Sequence, residues 1–217
     1  MTNSHDLPNN EQMHSKVVQE EAKRHTVVIG SAVDMWSKLA WDVDVFDNIQ
    51  RSFPNEKQPL AYAAINVCIA AISLRDWVQA AVKHRAGDEW NKDAFFQDLR
   101  EAVPELAVCE AIANTSKHSN FRAGAWVGGR VELIWEDGDQ DTPSGYLLYH
   151  ITSDMQSSCI ALSRFRDLSH HWWEYLVAHG LTEGRTDVAE WHKNKLKRIF
   201  GPIVASHDGF NGPSKEK

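Results

Sequence analysis

Leu60–Leu74 reads LAYAAINVCIAAISL, fifteen residues broken only by Asn66 and Ser73 and closed by Arg75-Asp76. Apolar residues fall on nearly every side of a helical projection of this stretch. A helix of that kind is expected at the centre of a bundle, contacted all round. Pro59 opens it and Gly87 closes it, so one helix is predicted over about Pro59 to Ala86. The apolar run is too short to span a bilayer, and no membrane partner is expected.

Working outward, Ser31 to about Ser52 is a second helix. Val33, Trp36, Ala40, Val43, Phe46, Ile49 and Phe53 recur at three- and four-residue steps and form its expected apolar stripe. Asp42, Asp44 and Asp47 lie off that stripe and read as a solvated face. Phe53-Pro54 ends the helix. A short helix is expected from Glu11, another over about Lys92 to Val103, and a last one from Pro104 to about Ser119.

Beyond this point the period changes. Arg130 to Glu136 alternates, with Val131, Leu133 and Trp135 on one face and Glu132 and Glu136 on the other. Polar turns at Asp137 to Gly145 and Ser153 to Gln156 separate it from Tyr146 to Thr152 and Ser157 to Leu162. These predict a small antiparallel β-meander, covered by a helix over Arg166 to His179, with a final helix over Asp187 to Phe200. The expected class is α+β: a helical bundle over 11–120, then a meander with two C-terminal helices over 121–210. The polar ends, 1–10 and 211–217, are expected to be disordered, and the first of them lacks the apolar run of a secretory leader.

Composition narrows the function classes. The formal net charge of −7 opposes general binding to phosphate backbones, so a nucleic-acid contact needs a local basic patch. Cys68, Cys109 and Cys159 are odd in number, widely spaced and set among apolar neighbours. That pattern suits buried reduced thiols in a cytoplasmic protein. Structural zinc would want closely paired cysteines, which this chain lacks, and no metal or cofactor is expected. His170 and Glu174 have metal-capable spacing but are only two ligands. The nine Trp residues read mainly as core. Lys193, Lys195, Lys197 and Arg198 suit the C-terminal end of a helix.

One polar segment stands out: Ala113-Asn114-Thr115-Ser116-Lys117-His118. On a helix, Glu110, Asn114, Lys117 and His118 share an arc of roughly 100°. Asn disfavours a helix interior, and Asn114 and His118, four apart, can address one small group together. Asp76, directly after the apolar run, needs a partner, for which Arg75, Lys83 and the 114–118 segment are the candidates. The strip 111–131 holds Lys117, Arg122 and Arg130 and no acid. RNA or a nucleotide is its expected partner.

The bundle and the form Asn114-x-x-x-His118 resemble the HEPN superfamily (higher eukaryotes and prokaryotes nucleotide-binding), many of whose members are ribonucleases of defence and toxin systems. Their motif is an Arg, often followed directly by Asn, and a His with four to six residues between the Arg and the His; here Ala113 stands where that Arg would be. Asp76-Trp77 and Ala113–His118 also resemble a residue pair in uncharacterised bacterial proteins with an Ala-Asn-x-x-Lys-His helix motif. The resemblance covers about Ser31 to Asn120.

It implies a binding, regulatory or interaction module, in bacterial defence or stress, and pairing of two copies through the motif helix. The alternative it implies is a metal-independent endoribonuclease of a toxin or anti-phage system. In that case His118 would transfer protons, Asn114 would orient it or hold a phosphoryl oxygen, and Lys117 would supply positive charge. Asp76, Glu110 and Arg122 would line the binding site, with Arg75 or Arg122 standing in for the missing guanidinium. The competing structural reading makes His118 and Lys117 helix-end cations.

Overall fold

The computed structural model describes residues 23, 25–53, 56–117, 129–137, 139–140, 145–152, 157–161 and 164–182. The expected helices at Glu11 and Asp187–Phe200, both tails, His118, Arg122 and the basic residues 193–198 lie outside the described residues.

Helix α1 is Ala32–Ser52. Ser31 starts it: its Oγ accepts from the Asp34 amide at 3.1 Å, while Asp34 Oδ2 accepts from the Gly30 amide at 3.0 Å. This reciprocal arrangement satisfies donors that a helix start leaves orphaned. Its buried line is Ala32, Met35, Leu39, Val43 and Phe46, and so lies beside the expected stripe, sharing only Val43 and Phe46 with it. Trp36 explains part of the offset. Its indole donates to the Ser169 carbonyl at 2.9 Å and its ring meets Trp173 at 4.5 Å, so it serves a flanking contact. The aspartates are not a solvated face either. Asp42 and Asp47 are mostly covered and ion-paired, with Lys38 and Arg166 respectively. Burial pushes the Asp42 carboxyl upward, and Lys38 opposes that shift.

Helix α2, Lys57–Ala86, is the long apolar one. Leu60, Val67, Cys68, Leu74 and Val78 are sealed against α1 and, on the other side, against α4 (Leu106–Lys117). Its alanines at 63, 64, 70 and 71 let those neighbours approach closely. Burial is not complete all round: Tyr62 is 58% exposed, and Ile65 and Ile69 are partly covered. One side of α2 is therefore open, contrary to the all-round contact expected. By length and composition the stretch 57–89 passes as a candidate membrane span, but its buried residues are those of a core helix, which is compatible with a soluble protein. Gly87 ends α2 at φ 53, a left-handed conformation that glycine adopts without steric cost.

Helix α3, Lys92–Ala102, is capped by Asn91, which accepts from the Ala94 amide at 3.0 Å. α4 starts at Leu106, two residues after the expected Pro104, because Pro104-Glu105 forms the turn and Glu105 points inward. Three strands follow: β1 Gly129–Glu136, β2 Gly145–Thr152 and β3 Ser157–Ala161, paired antiparallel in the order β1-β2-β3. Leu133 stands opposite Leu148, and Leu148 opposite Ile160. β2 and β3 touch α4.

The expected α+β class is overturned by α5, Phe165–Ala178. Among the described residues this helix makes its main contacts away from the strands. It packs on α1 and α3, and its buried residues Phe165, Leu168, Trp172, Tyr175 and Leu176 belong to the same core as α1–α4. Every described member of that core lies on a helix or on the α3–α4 turn. The protein is helical, and β2 and β3 meet the helical part at α4. Alternation reports a strand locally but says nothing of which layer the next helix serves. Arg85 fastens α5 from α2, donating to the carbonyls of His179 at 2.8 Å and Gly180 at 3.0 Å.

Candidate binding cleft

Helices α2, α3 and α4 enclose a cleft of about 890 Å³, a size in the range of small-molecule sites. Apolar contacts from Ile72, Leu99 and Leu106 form part of its lining, joined by the half-buried Phe96. The polar lining includes Arg75 and Gln79 from α2, Lys92 and Arg100 from α3, and Glu110 from α4.

Arg75 is the best-fixed of these. Its Nε and Nη2 donate to Asp76 Oδ1 at 3.0 and 2.9 Å, and its Nη1 donates to Glu110 Oε1 at 2.9 Å. The side chain is only 18% exposed, although Asp76 and Glu110 are open to solvent. The guanidinium is thus bonded to two carboxylates and bridges α2 to α4. Its Cζ also lies 5.9 Å from the Phe96 ring centre, and Lys92 Nζ lies 5.8 Å from the same ring, so both cations bear on one aromatic face or edge.

The sequence-predicted site residues separate here. Asp76 finds Arg75 as its partner, and Glu110 shares it. Asn114 is half-buried and Lys117 exposed on later turns of the α4 face that carries Glu110. Ala113 is fully buried, so the position that would hold the motif Arg faces the core. His170 and Glu174 form an exposed pair at 3.3 Å, and among the described residues no three ligands gather for a metal.

Three features escaped the sequence reading. Glu105 is the buried charged residue of the described core; its Oε2 meets His171 Nδ1 at 3.1 Å, and its Oε1 has Arg164 only at 4.0 Å. Its position beside Pro104 suggested a helix start, so the inward turn was invisible. Cys68 and Cys109 are free and buried, as their apolar neighbours implied, and what the sequence did not show is that they stand beside one another on α2 and α4. Burial, reinforced by Cys109, pushes the Cys68 thiol far up, which makes it a poor nucleophile. Both thiols are therefore expected to resist alkylation in the native protein and to react fully in denaturant; labelling of either one under native conditions, read by mass spectrometry, would contradict this packing.

The third feature is Tyr175, whose hydroxyl donates to Asp98 Oδ2 at 2.8 Å while His179 Nε2 lies 3.1 Å from the same oxygen. Burial first, then the bond to Asp98 and its charge, raises Tyr175 well beyond the usual tyrosine range. The unfolded chain loses this proton near pH 10 while the folded one retains it, so this contribution to stability is intact below about pH 10 and is lost as pH rises above it. Tyr175→Phe should remove that alkaline decline and cost about 1 kcal/mol at neutral pH. Urea titrations across alkaline pH check it, and an unchanged slope would count against the Tyr175–Asp98 bond.

No protein-family model matches the chain, and neither does any curated protein or solved structure.

Proposed function

We propose that this helical protein is a binding module of the regulatory or interaction kind, HEPN-like in its helical part, with the α2–α3–α4 cleft as its ligand site. The observation that carries the reading is the Arg75 bridge. A guanidinium only 18% exposed and tied to carboxylates on two helices is a fixed polar wall in an open cleft. Preorganised polar groups beside apolar surface are what small-molecule recognition requires. The cleft lining combines amides, carboxylates and cations with Phe96. A cytoplasmic setting accompanies the proposal.

The test is to follow backbone amide resonances while adding a set of small organic acids, amines and neutral aromatics. Shifts should concentrate at Gln79, Phe96, Arg100 and Glu110 and disappear in Phe96→Ala. Shifts confined to other surfaces, or none, would defeat the reading.

One observation favours the ribonuclease alternative. Arg75 lies against Glu110, one helical turn before Asn114 on the same face of α4, so a guanidinium reaches this face from α2 although position 113 cannot supply it. The purified protein is expected to leave single-stranded RNA intact in the presence of chelator. Cleavage that survives chelation and vanishes in His118→Ala, at unchanged stability, would establish the alternative.

A further inference from the structure

The cleft's charges are not equivalent, and their differences specify a ligand. Arg75 already has Asp76 and Glu110 as hydrogen-bonded partners, so its charge is locally neutralised. Lys92 and Arg100 differ. Both are exposed, both line the cleft, and among the described residues neither makes an ion pair, Lys92 instead lying over Phe96. Lys92, Phe96 and Arg100 follow one another at four-residue steps on α3, which puts them on one face over about 12 Å of helix. The result is a wall with a cation at each end and an aromatic ring between. Ile72 and Leu106 belong to the same lining but are almost wholly buried. Asp93, beside Lys92, is the lining carboxylate outside the Arg75 bridge.

Resting on the cleft being the ligand site, we propose that its ligand is an organic anion with two acidic groups separated by a flat apolar body. One acidic group meets Lys92 and the other meets Arg100, whose fork matches a carboxylate. The body lies on Phe96, the apolar lining residue that is only half-buried. Asp93 opposes the acidic group at the Lys92 end and so sets an upper bound on affinity. A neutral or cationic ligand of the same shape would leave both cations without partners while gaining only the apolar contact.

The experiment uses the full chain and two probes of one shape, naphthalene dicarboxylate and its neutral counterpart naphthalene dimethanol, followed by amide resonances and calorimetry. The dicarboxylate should bind, with affinity falling as salt is raised. Lys92→Gln and Arg100→Gln should each weaken it by about fivefold, a loss typical of one exposed charge contact. Asp93→Asn should strengthen it. These side chains are exposed, so the variants should fold as the parent does, and unchanged melting confirms it. Equal binding of the dimethanol, or a dicarboxylate affinity indifferent to both substitutions, overturns the dianion proposal and leaves the cleft as a binding site. If neither probe moves the cleft resonances, the dianion proposal is overturned; whether the cleft binds at all is then decided by the wider set of acids, amines and neutral aromatics.

Discussion

Trp172→Ala is expected to destabilise the protein by about 3–5 kcal/mol, the usual cost of removing a large aromatic from a packed core. Trp172 is fully buried on α5 and meets Tyr175 edge-on at 5.9 Å. Its neighbours belong to the core shared by all five described helices, so they cannot collapse far into the space it leaves. Trp172→Phe should be milder than its lost volume suggests. The indole Nε1 is buried and has no hydrogen-bond partner among the described residues, and phenylalanine removes that donor along with the larger ring. Urea unfolding of the two variants measures both effects. A loss below about 1 kcal/mol for Trp172→Ala would mean that α5 is peripheral to the shared core.

The second large effect concerns Glu105. Its carboxylate is buried, and His171 Nδ1 at 3.1 Å is its one direct hydrogen-bond partner among the described residues. His171→Ala should leave Glu105 with Arg164 at 4.0 Å and cost about 2–3 kcal/mol, less than a fully buried pair because His171 remains 31% exposed. Glu105→Gln should cost less, since its amide oxygen can still accept from the imidazole. Adding Glu105→Leu to His171→Ala should recover part of the loss by removing the stranded charge. The double-mutant cycle is the measurement. Additive losses, or a harmless His171→Ala, would show that the two groups do not act as a pair.

The local features were legible because local rules govern them. The apolar girth of 60–74 marked a long core helix, and Ile72 is buried there with Leu60, Val67 and Leu74. Gly87 and Gly180 stand at positive φ just past the ends of α2 and α5, where a left-handed residue stops a helix. Asp76 has Arg75 beside it, but its side chain is 60% exposed, so the burial that was expected to demand a partner is not the reason for the pairing. Glu110 was picked out with Asn114 and Lys117 by helical spacing alone, and the three lie on α4.

What the chain order cannot carry is the choice of neighbours. α1 offers two adjacent apolar lines, and only the positions of α2 and α5 decide that Met35 and Leu39 go inward while Trp36 reaches Ser169 and Trp173. Asp47 looked solvated until Arg166, 119 residues away, came to meet it. Arg75 and Glu110 are 35 residues apart, so the bridge that shapes the cleft exists only after α2 and α4 have packed. The strands carried their period in sequence, but the class of the protein did not follow from them. It was decided by where α5 buried its apolar face, a matter of area removed from water against α1 and α3. Periodicity depends on a residue's own helix or strand, whereas burial and ion pairing depend on what the rest of the chain brings against it.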